Sequence, residues 1–140
     1  MSGETNLQRL LANMQPELHD GEFVFCSVSP KTFEQLRIHP TGWFRESEGI
    51  TLIVERRIAD DEGLDYAFVS RMISLNIHSS LEAVGFLAVI SSKLAGAGIS
   101  MNTISAFYHD HLFIPTNKEG TVMRLLEELI NDAAGDVSVT

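Results

Sequence analysis

From residue 71 to residue 78 the chain alternates strictly. Met72, Ser74, Asn76 and His78 fall on one side and Ile73, Leu75 and Ile77 on the other, which is the two-residue period of a half-buried strand. The period then lengthens: Ala83, Phe86, Leu87, Ile90 and Leu94 recur at helical spacing, Ser79 and Glu82 match a capping box, and Gly96 and Gly98 close the segment. β-Branched and aromatic residues predict two short strands next, over 99–106 and 109–115, the second ended by Pro115. Thr116 and Glu119 form another capping-box match before the apolar stripe of Val122, Leu125, Leu126, Leu129 and Ile130. Gly135 is expected to stop that helix and residues 136–140 to form a last short strand.

Strand, helix, strand, strand, helix, strand is the split βαβ repeat of a ferredoxin-like α+β fold. Its antiparallel sheet carries both helices on one face, with the first and third strands side by side. The end of the first strand, near His78, should therefore approach the start of the third, near His109.

The first half reads as a degenerate copy of this plan. A helix is expected over 6–14, strands over 22–28, 42–45 and 50–55, and short helical pieces over 31–35 and 56–62. Turn chemistry marks the joints at His19-Asp20-Gly21, Ser29-Pro30, Pro40-Thr41-Gly42 and Glu48-Gly49. A strand over 66–70 runs into the next without a linker, so two modules, 1–70 and 71–140, are expected to share one continuous surface.

Composition narrows the function. The 140 residues are 44% hydrophobic, without an apolar run near the roughly 18 residues of a membrane span. The start, MSGETNLQRLLANM, has neither the basic opening nor the apolar stretch of a secretory signal, so a cytoplasmic location is expected. Nineteen acidic residues against ten basic ones give a net charge of -9, which argues against nucleic acid as a partner. The single cysteine, Cys26, sits in the apolar run FVFCSV and reads as core filling.

SSLEAVGFLAVISSKLAGAGISMN followed by TISAFYHDHLFIP resembles the ACT domain, in particular the variant of aspartate kinase regulatory regions. ELHDGEFVFCSVS with GWFRESEGITLIV resembles the partner module of small stand-alone bacterial ACT proteins, and the chain is similar too to the tandem-ACT arginine sensors of animal cells. The resemblance implies a non-catalytic, homodimeric regulatory protein, without a cofactor, that holds a free amino acid or similar small metabolite where two ACT units meet. It also implies the site residues: Ser79, Ser80, Leu81, Glu82, Ala83, Val84 and Gly85 in the loop, and Ser105, Ala106, Phe107, Tyr108 and Asp110 along the strand edge. The kinases commonly carry Pro-Gly where this chain has Val84-Gly85, and an acidic residue where it has Tyr108.

Elementary chemistry points to the same place. A helix N-terminus receives a ligand carboxylate, Asp110 offers a counter-charge for an ammonium, and Gly85 lets a ligand approach the backbone. Two readings compete. One is an interaction module with a vestigial pocket. The other is a small metal-dependent enzyme using His78, His109 and His111, although on a strand Asp110 faces away from His109 and His111. No nucleophile elbow or phosphate-cradling glycine loop supports other catalysis.

Overall fold

A computed structural model describes Gly3 and residues 5–139, with side-chain surroundings up to residue 135. The chain divides into two compact units, one of residues 20–71 and one of residues 1–19 together with 72–140.

The first unit has the full six-element order: β2 (Phe23–Val28), α2 (Pro30–Gln35), β3 (Gly42–Arg45), β4 (Ile50–Glu55), α3 (Arg56–Asp61) and the opening residues of β5 (Ala67–Leu75). β4 pairs antiparallel with β2 from Ile50 opposite Val28 to Glu55 opposite Phe23, and β3 pairs on its other side. Alternation drives the packing, since Ile50, Leu52 and Val54 point to one side and close a core with Val24, Cys26 and Ala59. The degeneracy expected here is confined to the helices, each only six residues long. α2 is held by its own start: Ser29 Oγ accepts from Thr32 N–H at 3.1 Å and Pro30 sets the first helical turn.

The second unit contains α1 (Leu7–Asn13), β1 (Pro16–Leu18), β5 from Met72 onward, α4 (Phe86–Gly96), β6 (Asn102–Ser105), β7 (Asp110–Pro115) and α5 (Glu119–Val139). Its strand order is β1-β5-β7-β6, the ferredoxin-like arrangement. The fourth strand, however, comes from the N-terminal side: β1 pairs antiparallel with β5, Pro16 opposite Leu75 and Leu18 opposite Ile73. The strand expected over 136–140 is therefore corrected. α5 continues through Gly135 to Val139, and Thr140 lies outside the described residues. A Cβ placed on Gly135 meets nothing within 4 Å, so this glycine is an exposed helical residue with no turn to make.

α1, capped by Asn6 Oδ1 accepting from Arg9 N–H at 3.0 Å, packs against α5. Leu10, Ile73, Leu75, Ile90, Leu94, Leu112, Ile114 and Leu126 are fully buried in one core beneath the helices. Burial at this depth is worth about 1.5–3 kcal/mol for each large aliphatic side chain.

Candidate ligand cleft

β5 ends at Leu75, three residues short of the expected His78, and the chain reaches α4 only at Phe86. The helix predicted to open at Ser79 is corrected, because that segment folds as a series of tight turns. Ser79 N–H donates to the Ile77 carbonyl at 2.8 Å, and Ala83 N–H to the Ser80 carbonyl at 3.0 Å. Glu82 N–H donates to Ser80 Oγ at 3.0 Å, so the local polar bond belongs to Ser80, and the Ser79–Glu82 capping box does not form.

Ser79 turns inward instead. Its hydroxyl donates to Asp110 Oδ2 at 3.3 Å, and both residues are buried, 8% and 7% exposed. Asp110 opens β7 directly opposite Ser105 of β6. Strand alternation puts it on the side of Leu112 and Ile114, which face the core beneath the helices. The expected approach of the first and third strands is realised here, since His109 Nδ1 also lies 3.3 Å from the Ile77 carbonyl.

Gly85 occupies the N-cap of α4 in the left-handed region, φ 93°, and so contributes no capping side chain. The first intrahelical bond in this turn runs from Val89 N–H to the Gly85 carbonyl at 3.0 Å. The amides of the preceding turn have no intrahelical acceptor and carry the positive end of the helix dipole.

These pieces enclose a cleft of about 170 Å³. Of the residues predicted for the site, Ser79, Ser80, Leu81, Ala83, Gly85, Ser105, Ala106 and Asp110 line it. Glu82, Val84, Phe107 and Tyr108 do not. Phe86, Leu87 and Ala88, the first turn of α4, complete the wall and were missed because the helix was expected to begin seven residues earlier. A glycine followed by an uninterrupted apolar helical run was the available signal.

Phe107 and Tyr108 sit in the β6–β7 turn, 58% and 55% exposed. Their rings lie edge to face at 4.9 Å between centroids, and His78 stacks on Phe107 at 6.2 Å. With Leu81 and Val84, also exposed, they give the cleft an apolar surround.

The three histidines weighed as metal ligands have different partners. His78 is in the aromatic cluster, His109 reaches the Ile77 carbonyl, and His111 Nδ1 lies 2.7 Å from Ser74 Oγ. Among the described residues no group of three His, Cys, Asp or Glu is arranged to hold a metal ion. Burial, reinforced by His109 and His19, pushes His111 below the ordinary imidazole range, so the neutral ring is favoured. Burial also raises the Cys26 thiol, which keeps it protonated and unreactive. No helix among the described residues is long and apolar enough to cross a membrane.

The family model for the ACT domain matches residues 2–71, and a second ACT-domain model matches residues 68–128. The chain is similar to a Vibrio cholerae protein of unknown function, described as a possible transport protein. That likeness is 40% identity over 89% of this chain and 95% of that one, with a TM-score of 0.79. A structure from Agrobacterium tumefaciens is 14% identical over 84% of this chain and 89% of its own, with a TM-score of 0.63. The regulatory subunit of aspartate kinase from Thermus flavus is 9% identical over 92% of this chain and 99% of its own, with a TM-score of 0.58. The last two are likenesses of fold. No curated protein matches the chain.

Proposed function

The chain belongs to the ACT domain family, and from that premise we propose that it is a non-catalytic regulatory protein that binds a free amino acid, or a similar small zwitterion, in the cleft at the start of α4. The observation that carries this reading is Asp110. It is a carboxyl group buried at the cleft wall whose hydrogen-bond partner among the described residues is the Ser79 hydroxyl, and a ligand ammonium would supply the counter-charge that a buried carboxylate requires. Across the cleft, the first-turn amides of α4 are suited to the ligand carboxylate. The volume, about 170 Å³, falls below the roughly 300–1,000 Å³ usual for drug-sized ligands and suits a small metabolite.

The exposed ring of Leu81, Val84, Phe107 and Tyr108 supports a homodimer in which an ACT unit of a second copy covers the cleft and makes it a junction. Among the described residues β6 is an edge strand of its sheet, which adds a row of backbone groups open to pairing beside the same cleft. Ligand binding then acts as a signal by favouring one arrangement of the assembly.

A thermal-shift screen with the twenty amino acids tests this reading. At one hundred times its Kd a ligand adds about 2.7 kcal/mol of stability. At least one amino acid should raise the melting point of the wild type and leave that of Asp110→Ala unmoved. A response that survives Asp110→Ala, or no response to any amino acid, overturns it.

A further inference from the structure

We infer that the cleft selects amino acids with small, uncharged side chains and discriminates against acidic ones, an inference that rests on the amino-acid site proposed above. It follows from the charges available. Among the described residues Asp110 is the only ionisable side chain in the wall; Ser79, Ser80 and Ser105 add hydroxyls, and the other wall residues are apolar or glycine. The wall therefore offers one full negative charge and the partial positive charge of a helix start.

An α-amino acid uses both. Its ammonium neutralises Asp110 and its carboxylate takes the amides of α4, after which no cationic side chain among the described wall residues is left for a second carboxylate. The closest basic residue along α4, Lys93, is committed elsewhere, its Nζ 3.0 Å from Glu128 Oε1. His78 and His109 lie outside the wall, with Phe107 and with the Ile77 carbonyl. An aspartate or glutamate side chain is thus desolvated without compensation. Size works in the same direction. A cleft of about 170 Å³ holds the zwitterionic head and a short side chain, and a long one extends beyond it.

The experiment is a set of melting-point titrations of the full chain at pH 8 with glycine, L-alanine, L-serine, L-threonine, L-aspartate and L-glutamate. The small uncharged set should shift the melting point, and the acidic pair should need at least tenfold higher concentration for the same shift. Acidic amino acids of equal or greater potency overturn the selectivity and spare the site. Silence from all six while a larger amino acid responds overturns the size argument alone. Silence from all twenty overturns the site itself and the selectivity with it. Ala88→Lys adds a cation at an exposed position of the cleft wall and should bring aspartate to within a few-fold of alanine. An unchanged ratio in that variant overturns the charge argument.

Discussion

The hydroxyl of Ser74 lies 2.7 Å from Nδ1 of His111, on neighbouring strands, and the same oxygen lies 2.7 Å from His19 Nε2. One hydroxyl proton serves two rings, an arrangement satisfied when both imidazoles are neutral and one donates its N–H to the oxygen. Protonating both rings places two positive charges around a single buried serine.

This arrangement sets a pH dependence. His111 is held below its unfolded range by burial, then by His109 and His19, while Asp110 acts weakly in the opposite sense and Glu17 stands 4.0 Å from His19 Nδ1. Above about pH 6.5 both folded and unfolded forms are neutral and nothing is contributed. As the pH falls below that value, the unfolded chain takes up a proton that the folded chain resists, so stability falls until the lowered folded pKa is passed. Urea midpoints between pH 7.5 and 5 should drop more steeply for the wild type than for His111→Gln. Parallel curves would remove His111 as the cause.

Asp110→Ala should leave the fold intact. The change deprives the Ser79 hydroxyl of its acceptor and removes a buried carboxylate, effects that oppose each other and net to about 1 kcal/mol or less. Urea unfolding checks this; a loss of several kcal/mol would make Asp110 a structural residue.

Each chain should bind one amino acid. In the first unit the passage from β2 to α2 is the single residue Ser29, whose hydroxyl already caps Thr32 N–H. A Cβ on Gly49 would stand 2.9 Å from the Val28 carbonyl, so β2 and the start of β4 approach too closely to admit a ligand. Calorimetric titration should give a stoichiometry of one per chain, and a value of two would place a second site in residues 20–71.

Gly85→Ala should cost about 1–2 kcal/mol through its left-handed backbone, because the nearest neighbour to a new Cβ, Leu7 Cδ2 at 3.5 Å, is an ordinary contact. The same change turns the first amides of α4 and should weaken ligand binding at least several-fold. Chemical denaturation and a melting-point titration read the two effects separately.

The strands of the first unit were legible because their causes are local. Residues 42–45 and 50–55 were bounded as found, since alternation and the turns at Thr41-Gly42 and Glu48-Gly49 decide them within a few residues. The start of α4 was not legible. Ser79 and Glu82 satisfy a capping box on paper, but the Ser79 hydroxyl is claimed by Asp110, thirty-one residues away. The end of α5 was misread for a similar reason. A glycine costs a helix only about 1 kcal/mol, and the place beside β5 that the fourth strand of a ferredoxin-like sheet occupies is taken by β1. Most of the cleft was foreseen through its loop and strand edge. Its missing wall, Phe86 to Ala88, moved with the helix start.

The origin of that fourth strand has a consequence for synthesis. The ribosome releases the first nineteen residues before the whole of residues 20–71, and only afterwards the remainder of the unit to which they belong. At roughly 5–20 residues per second, β1 waits several seconds for β5 to be completed and longer for α5. Residues 20–71 are contiguous and can fold during that interval, whereas the cleft-bearing unit is assembled last, when the opening segment closes onto strands made after it.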